Sequence, residues 1–167
     1  MTKVRFYLFM RYEDGKIANV DLSEEEIPLN IFIDNAEELG DLAECDAEID
    51  IYGVSGGVDV YKTEDEYYAQ GNNMAAQSMI PTGTFWVLDE TKESGPQPTI
   101  LFSGIVKSVE TDEEAAADRP NYLLGIETYG MTFSLYVRHD GEIQAGDIVS
   151  GRAWIYGDLK PLGEETA

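Results

Sequence analysis

The chain has 167 residues, with 11 Lys plus Arg against 33 Asp plus Glu, a formal net charge of −22 and a sequence pI near 4.1. With 43% hydrophobic and 11% aromatic residues it has material for a folded core, which argues against global disorder. So few basic side chains argue against a broad phosphate-neutralising face, and the same sign of charge is repelled by an anionic membrane surface.

Met1 to Arg5 leads only into the short run Phe6 to Met10 before Arg11, which is not the apolar core of a secretory leader. No stretch approaches the roughly 20 apolar residues of a membrane-spanning helix. Cys45 is the single cysteine and has no internal disulfide partner, so a cytoplasmic location is the default expectation.

Val4 to Tyr12 is rich in β-formers, Asp14-Gly15 supplies a turn signal, and Ile17 to Leu22 alternates apolar with small or polar residues. This pattern predicts a hairpin. After Ser23-Glu24-Glu25-Glu26 and Pro28, a third apolar run covers Leu29 to Ile33. Asp34, with Glu37 three residues on, has capping-box spacing and predicts a short helix through Leu42. Ala47 to Tyr52 alternates, stops at Gly53 and is separated by Gly56-Gly57 from Val58 to Tyr61, which predicts a second hairpin. Thr63-Glu64-Asp65-Glu66 is another capping box ahead of Tyr67. Met74 to Met79 can continue the helical pattern as far as Pro81, but Gly71-Asn72-Asn73 interrupts it, which predicts a broken helix or a helix followed by a loop. Thr84 to Leu88 reads as a strand, and residues 89–98, polar and rich in turn formers, as a linker or long loop.

Ile100 to Glu110 predicts one long strand bent at Gly104, followed by a polar loop from Asp112 to Asn121. Asn121 to Thr128 and Thr132 to Arg138 flank Tyr129-Gly130-Met131 as a hairpin, and His139 to Glu142 is a turn. Gln144 to Asp147 leads into a final strand, Ile148 to Gly157, interrupted by glycine. Residues 99–159 resemble the OB-fold in this spacing: a long glycine-bent first strand, a hairpin, then a Gly-Asp turn into a strand carrying Val149-Ser150-Gly151. The resemblance is at fold level. It implies a barrel whose known relatives bind oligonucleotides or oligosaccharides with basic and aromatic residues, and here the basic residues are few.

The expected architecture is mainly β with one or two short helices. An acidic β-rich half (1–88) is followed by the linker (89–98), the OB-like barrel (99–159) and a tail (160–167). Because the 99–159 segment alone would have a marginal core, the two halves are expected to pack as one cooperative unit.

Catalytic side chains are scarce. His139, the lone histidine, sits in a turn where a solvated role outweighs acid-base work without oriented partners. Cys45 lies between Glu44 and Asp46, whose charges discourage a thiolate. Nucleotide-binding, serine-hydrolase and zinc-peptidase motifs are missing, as is the Asp-x-Asp-x-Asp-Gly spacing of a calcium loop. Paired carboxylates flanked by Tyr52, Tyr61, Trp86 and Trp154 have the ingredients of a glycosidase cleft. With 33 acids, however, proximity is explained by coincidence, and alternating aromatics are expected to be mostly core. The sequence therefore assigns no catalytic, cofactor-binding or metal residues, and no cofactor.

The charge distribution is more informative. From Ile17 to Tyr61 there is no Lys or Arg, while thirteen acids from Asp21 to Asp59 are interleaved with Ile27, Leu29, Ile31, Ile33, Leu39, Ile49 and Ile51. Such a block is expected to be folded rather than a disordered tail. Carboxylates fixed in space steer basic proteins and occupy grooves shaped for phosphates, whereas a solubilising surface needs no partner.

The leading expectation is a non-enzymatic acidic inhibitor or immunity-type protein. It would bind a basic, nucleic-acid-handling protein such as a nuclease and block its groove in the manner of a nucleic-acid mimic. Partner contact is expected at Glu24, Glu25, Glu26, Glu37, Glu38, Asp41 and Glu44, with Glu37, Asp41 and Glu44 along one side of the first helix. The rival is an OB-type accessory module recognising carbohydrate or peptide through Tyr and Trp, and the third reading is a carboxylate hydrolase.

Overall fold

A computed structural model describes residues 2–12, 14–22, 27–72, 75–82 and 97–162. The expected strand at 84–88, most of the 89–98 linker, Met74, Trp86, Glu24 to Glu26 and the tail beyond Leu162 lie outside the described residues.

The protein is mainly β. Strands β1 (Thr2–Tyr12), β2 (Gly15–Leu22) and β3 (Ile27–Ile33) precede the single-turn helix α1 (Ala36–Leu39). Strands β4 (Cys45–Ser55) and β5 (Val58–Tyr61) then lead to the second short helix, α2 (Glu64–Ala69). Strands β6 (Ser78–Pro81), β7 (Thr99–Thr111), β8 (Tyr122–Thr128), β9 (Met131–Val137) and β10 (Ile148–Pro161) follow. The chain divides into two compact units, and β4 and β10 contribute residues to both. The first comprises Met1–Ile51, Pro81–Ile100 and Ile155–Ala167, and the second Tyr52–Ile80 and Leu101–Trp154.

In the first unit the strand order is β10-β3-β2-β1-β4. The predicted hairpin is present: β1 and β2 are antiparallel from Val4 opposite Leu22 to Tyr12 opposite Gly15, with one irregularity between Phe6 and Leu8. Alternation places Val4, Phe6, Ile17, Val20, Leu29, Ile31, Ile33, Ala47 and Ile49 in the core. Each such large aliphatic or aromatic side chain stabilises the fold by about 1.5–3 kcal/mol when fully buried. Gly157 of β10 is needed by close approach, since a Cβ there would lie 2.5 Å from the Asp50 carbonyl oxygen.

In the second unit the order runs β4-β9-β8-β7-β6, with β5 on β10. The predicted β8–β9 hairpin is present, from Tyr122 opposite Val137 to Thr128 opposite Met131, and Gly130 in its turn has φ +89°, a conformation glycine adopts without penalty. Strand β7 extends past Gly104 as expected. A Cβ at Gly104 would meet Ile126 at 2.6 Å and the Glu127 carbonyl at 2.8 Å. Phe102 and Phe133 meet edge to face at 5.4 Å within a core that includes Leu124, Ile126, Leu135 and Val149. Tyr67 and Ser103, both buried, share a hydrogen bond of 2.8 Å.

Two sequence expectations are corrected. The Ala47–Tyr61 hairpin does not form. Strand β4 runs on through Gly53, which lies where a Cβ would crowd Leu135 and Phe133 at 3.3 Å. It is parallel to β9, while β5 pairs with Ile148–Gly151 of β10. Helix α2 keeps its predicted cap, Thr63 Oγ1 accepting from the Glu66 N–H at 3.0 Å, and of the two expected forms it takes the second, ending at Ala69 ahead of a loop. Gly71 turns out at φ +86°, Asn72 Nδ2 donates to the Tyr67 carbonyl at 2.7 Å, and the chain enters β6. The second correction, at α1, bears on the candidate site.

Candidate functional site

The acidic segment after β3 is pinned by its backbone and by one amide. The Asp34 N–H donates to the Gly157 carbonyl at 2.9 Å. Asn35 brackets Leu159, its Nδ2 donating to the Leu159 carbonyl and its Oδ1 accepting from the Leu159 N–H, both at 2.9 Å. That side chain is therefore committed to β10 and makes no capping bond to α1, where Asn35, rather than Asp34, occupies the N-cap position. The helix makes a single turn and stops at Gly40, whose φ of +56° leaves the right-handed region. The expected helix through Leu42 is thus cut short, and the stripe of Glu37, Asp41 and Glu44 along one helical side does not exist.

The predicted acids separate into three groups. Glu24, Glu25 and Glu26 are outside the described residues. Glu37, Glu38 and Asp41 are exposed and make no ion pair among the described residues. Glu44 is ion-paired: Arg5 donates to Glu44 Oε2 at 2.9 Å and to Asp46 Oδ1 at 3.0 Å, and these bonds, Glu44 first, raise the guanidinium pKa. Arg5 lies directly opposite Asp46 in the β1–β4 ladder, and Lys3 opposite Glu48, a cross-strand arrangement that offsets charge on β4. Tyr7 donates to Asp21 at 2.8 Å, and that bond is the main cause of its raised pKa.

The structure adds a feature that the sequence did not signal. Tyr7 to Arg11, Asp14 with Gly15 and Lys16 at the start of β2, and Ala36, Glu37 and Gly40 to Leu42 line an open cavity of about 860 Å³, within the range of ligand-sized clefts. Its walls are part apolar, through Leu8, Phe9, Met10 and Leu42, and part charged. The Lys16 ammonium stands 5.2 Å from the Phe9 ring centroid, a cation–π distance. Only the long β1 run was legible beforehand; the end of its ladder with β4 at Phe6 opposite Cys45, which leaves this space, was not.

In the second unit the aromatic expectation is corrected in part. Tyr52 and Tyr61 are half-buried, but Trp154 is 36% and Tyr136 40% exposed. Tyr136 meets Tyr52 edge to face at 6.0 Å and sits opposite Val54 in the β4–β9 ladder. His139 holds its turn through the backbone, its N–H donating to Asn121 Oδ1 and its carbonyl accepting from Asn121 Nδ2, both at 2.9 Å. Cys45 is half-buried at the start of β4.

The buried charge of this unit is Asp147, 4% exposed, which accepts from Lys62 Nζ at 2.7 Å and the Gln144 N–H at 2.8 Å. The Asp147 bond is the main cause of the raised Lys62 pKa. Among the described residues no three His, Cys, Asp or Glu side chains are grouped to hold a metal, and no helix is long and apolar enough to cross a membrane. Set against known protein families, curated proteins and solved structures, the chain matches none.

Proposed function

We propose that this is a non-enzymatic acidic binding protein that docks onto a basic, nucleic-acid-handling protein and occludes its phosphate-binding groove. The single observation that carries this reading is the α1 turn. In a chain of net charge −22, Glu37, Glu38 and Asp41 are held exposed on a loop anchored by Asn35, without an ion-pair partner among the described residues. Carboxylates presented in this way project a field that accelerates encounter with a cationic surface. The neighbouring acids Glu44 and Asp46 share one cation, Arg5, and contribute less.

The test is titration of the protein into a purified basic nuclease at stepped ionic strength, reading both binding and nucleic-acid cleavage. Competitive inhibition that weakens steeply as salt screens the charges supports the proposal. Binding that leaves cleavage intact contradicts the occlusion.

The exposed Tyr136, Trp154 and Val54 favour a second reading, an OB-type accessory module recognising carbohydrate or peptide through aromatic stacking. Salt-insensitive binding to oligosaccharides, lost in Tyr136→Ala, would move this reading into first place.

A further inference from the structure

Among the described residues, β1 beyond Phe6 has a neighbour on one flank only. Its ladder with β2 continues to Tyr12 opposite Gly15, whereas the ladder with β4 begins at Thr2 opposite Ile49 and ends at Phe6 opposite Cys45. Among the described residues, Leu8 to Arg11 therefore pair along one edge. An open strand edge presents N–H and C=O groups at the strand repeat, and the group that satisfies such a row is another extended backbone. The segment leading into Cys45, Ala36 to Leu42, forms the opposite wall of the 860 Å³ cavity beside Tyr7 to Arg11. Leu8 is 48% exposed at this edge.

We propose that an extended, basic segment of the partner protein enters this cavity and adds as a strand to Leu8–Arg11 of β1. The sign of its charge follows from the walls. Glu37, Asp41 and Asp14 outnumber Arg11 and Lys16, and Lys16 is already engaged over Phe9. A second copy of this chain is disfavoured by the same charges, since it would bring together two molecules of −22 along like-charged walls. Apolar side chains at alternate positions of the added strand would lie on the face shared by Leu8 and Met10, while lysines or arginines between them would be drawn to the acidic wall of Glu37 and Asp41. This inference rests on the partner-binding reading above and adds to it a backbone-mediated docking mode.

The experiment uses the full chain and three labelled eight-residue peptides. One alternates lysine with valine, one is the same peptide N-methylated at every second residue, and one alternates glutamate with valine. The lysine-valine peptide is expected to bind and to slow hydrogen exchange at the Leu8–Arg11 amides. N-methylation, which removes donors while keeping the side chains and charge, should weaken binding about tenfold or more. The double variant Glu37→Lys, Asp41→Lys should weaken it by about the same factor, and the glutamate-valine peptide should not bind.

Failure of the lysine-valine peptide to bind overturns the proposal, as does equal affinity for the methylated peptide or protection at other amides. Concentration-dependent dimers that protect Leu8–Arg11 without peptide identify a second copy as the occupant and overturn the choice made here. A basic nuclease that binds at the α1 turn without altering Leu8–Arg11 exchange defeats the added strand and leaves the proposed function standing. Peptide addition to β1 in a protein that no basic nuclease recognises does the reverse.

Discussion

Strand β4 presents Asp46, Glu48 and Asp50 outward in its first half and Tyr52 and Val54 outward in its second, while Ala47, Ile49, Ile51, Gly53 and Ser55 are buried along its length. One inward pattern thus supports two unlike surfaces. In the first unit Asp46 and Glu48 face Arg5 and Lys3 of β1. In the second the outward apolar residues face Ser134 and Tyr136 of β9. The acidic character of the chain is accordingly not uniform: it is offset along β4 and left uncompensated at the α1 turn. Which acids matter is decided by the positions of very few cations.

If both units are packed as described, removing a large core side chain should cost about the same in each. Phe6→Ala in the first unit and Phe102→Ala in the second are each expected to lower the unfolding free energy by about 3–5 kcal/mol, measured by urea denaturation. A cost under about 1 kcal/mol in either would mean that unit lacks the core assigned to it.

Overpacking offers a finer comparison. Gly157→Ala places a methyl against the Asp50 carbonyl, and Gly104→Ala places one against Ile126 and the Glu127 carbonyl, so each should cost about 1–3 kcal/mol. A neutral result at Gly157 would show that β10 and β4 do not approach as closely as the geometry requires.

The polar anchors of the two units predict a shared alkaline response. Lys62 is raised above its ordinary 10.5 by Asp147, and Tyr7 above its ordinary 10.0 by Asp21. Folding therefore favours the protonated form of both. The stabilisation is complete below the unfolded values and is lost as pH rises through the folded ones. Thermal melts should be flat in these contributions through neutral pH and fall above about pH 10. Lys62→Met should lower the melting temperature at pH 8 and shrink that alkaline fall. An unchanged fall would mean that the Lys62–Asp147 pair has no part in it.

The smallest effect concerns self-repulsion. Between low salt and 0.15 M, where the Debye length is about 8 Å, the melting temperature should rise by a few degrees. In the triple variant Glu37→Gln, Glu38→Gln, Asp41→Gln the rise should be smaller. A variant that keeps the full rise would place the dominant repulsion elsewhere than the α1 turn.

The strands were largely legible because their signals are local. Alternation in Val4–Tyr12 and Ile17–Leu22 around Asp14-Gly15, and in Tyr122–Val137 around Tyr129-Gly130, fixes a pairing partner within a few residues. Strand β5 failed that reading because its partner lies in β10, about ninety residues on, and no local pattern distinguishes a distant ladder from a hairpin. Helix α1 was overestimated for a related reason. The spacing of Asp34 and Glu37 satisfies a capping rule, but Asn35 is committed to Leu159 and Gly40 ends the turn. The acidic block was visible as composition; its division into compensated and free carboxylates was not, because Arg5 meets Glu44 and Asp46 only through the β1–β4 ladder.

The most direct test of the α1 turn as the docking surface is the association rate of a basic nuclease followed by stopped flow at several salt concentrations. Three proteins are compared: the parent, the reversal Glu37→Lys, Glu38→Lys, Asp41→Lys, and the reversal Asp112→Lys, Glu113→Lys, Glu114→Lys in the loop after β7. The α1 reversal should slow association about tenfold or more at low salt and flatten its salt dependence, because steering charges act on the on-rate. The loop reversal, of equal charge, should change it little. Equal slowing by both reversals would reduce the effect to net charge and contradict the assignment of the α1 turn as the site.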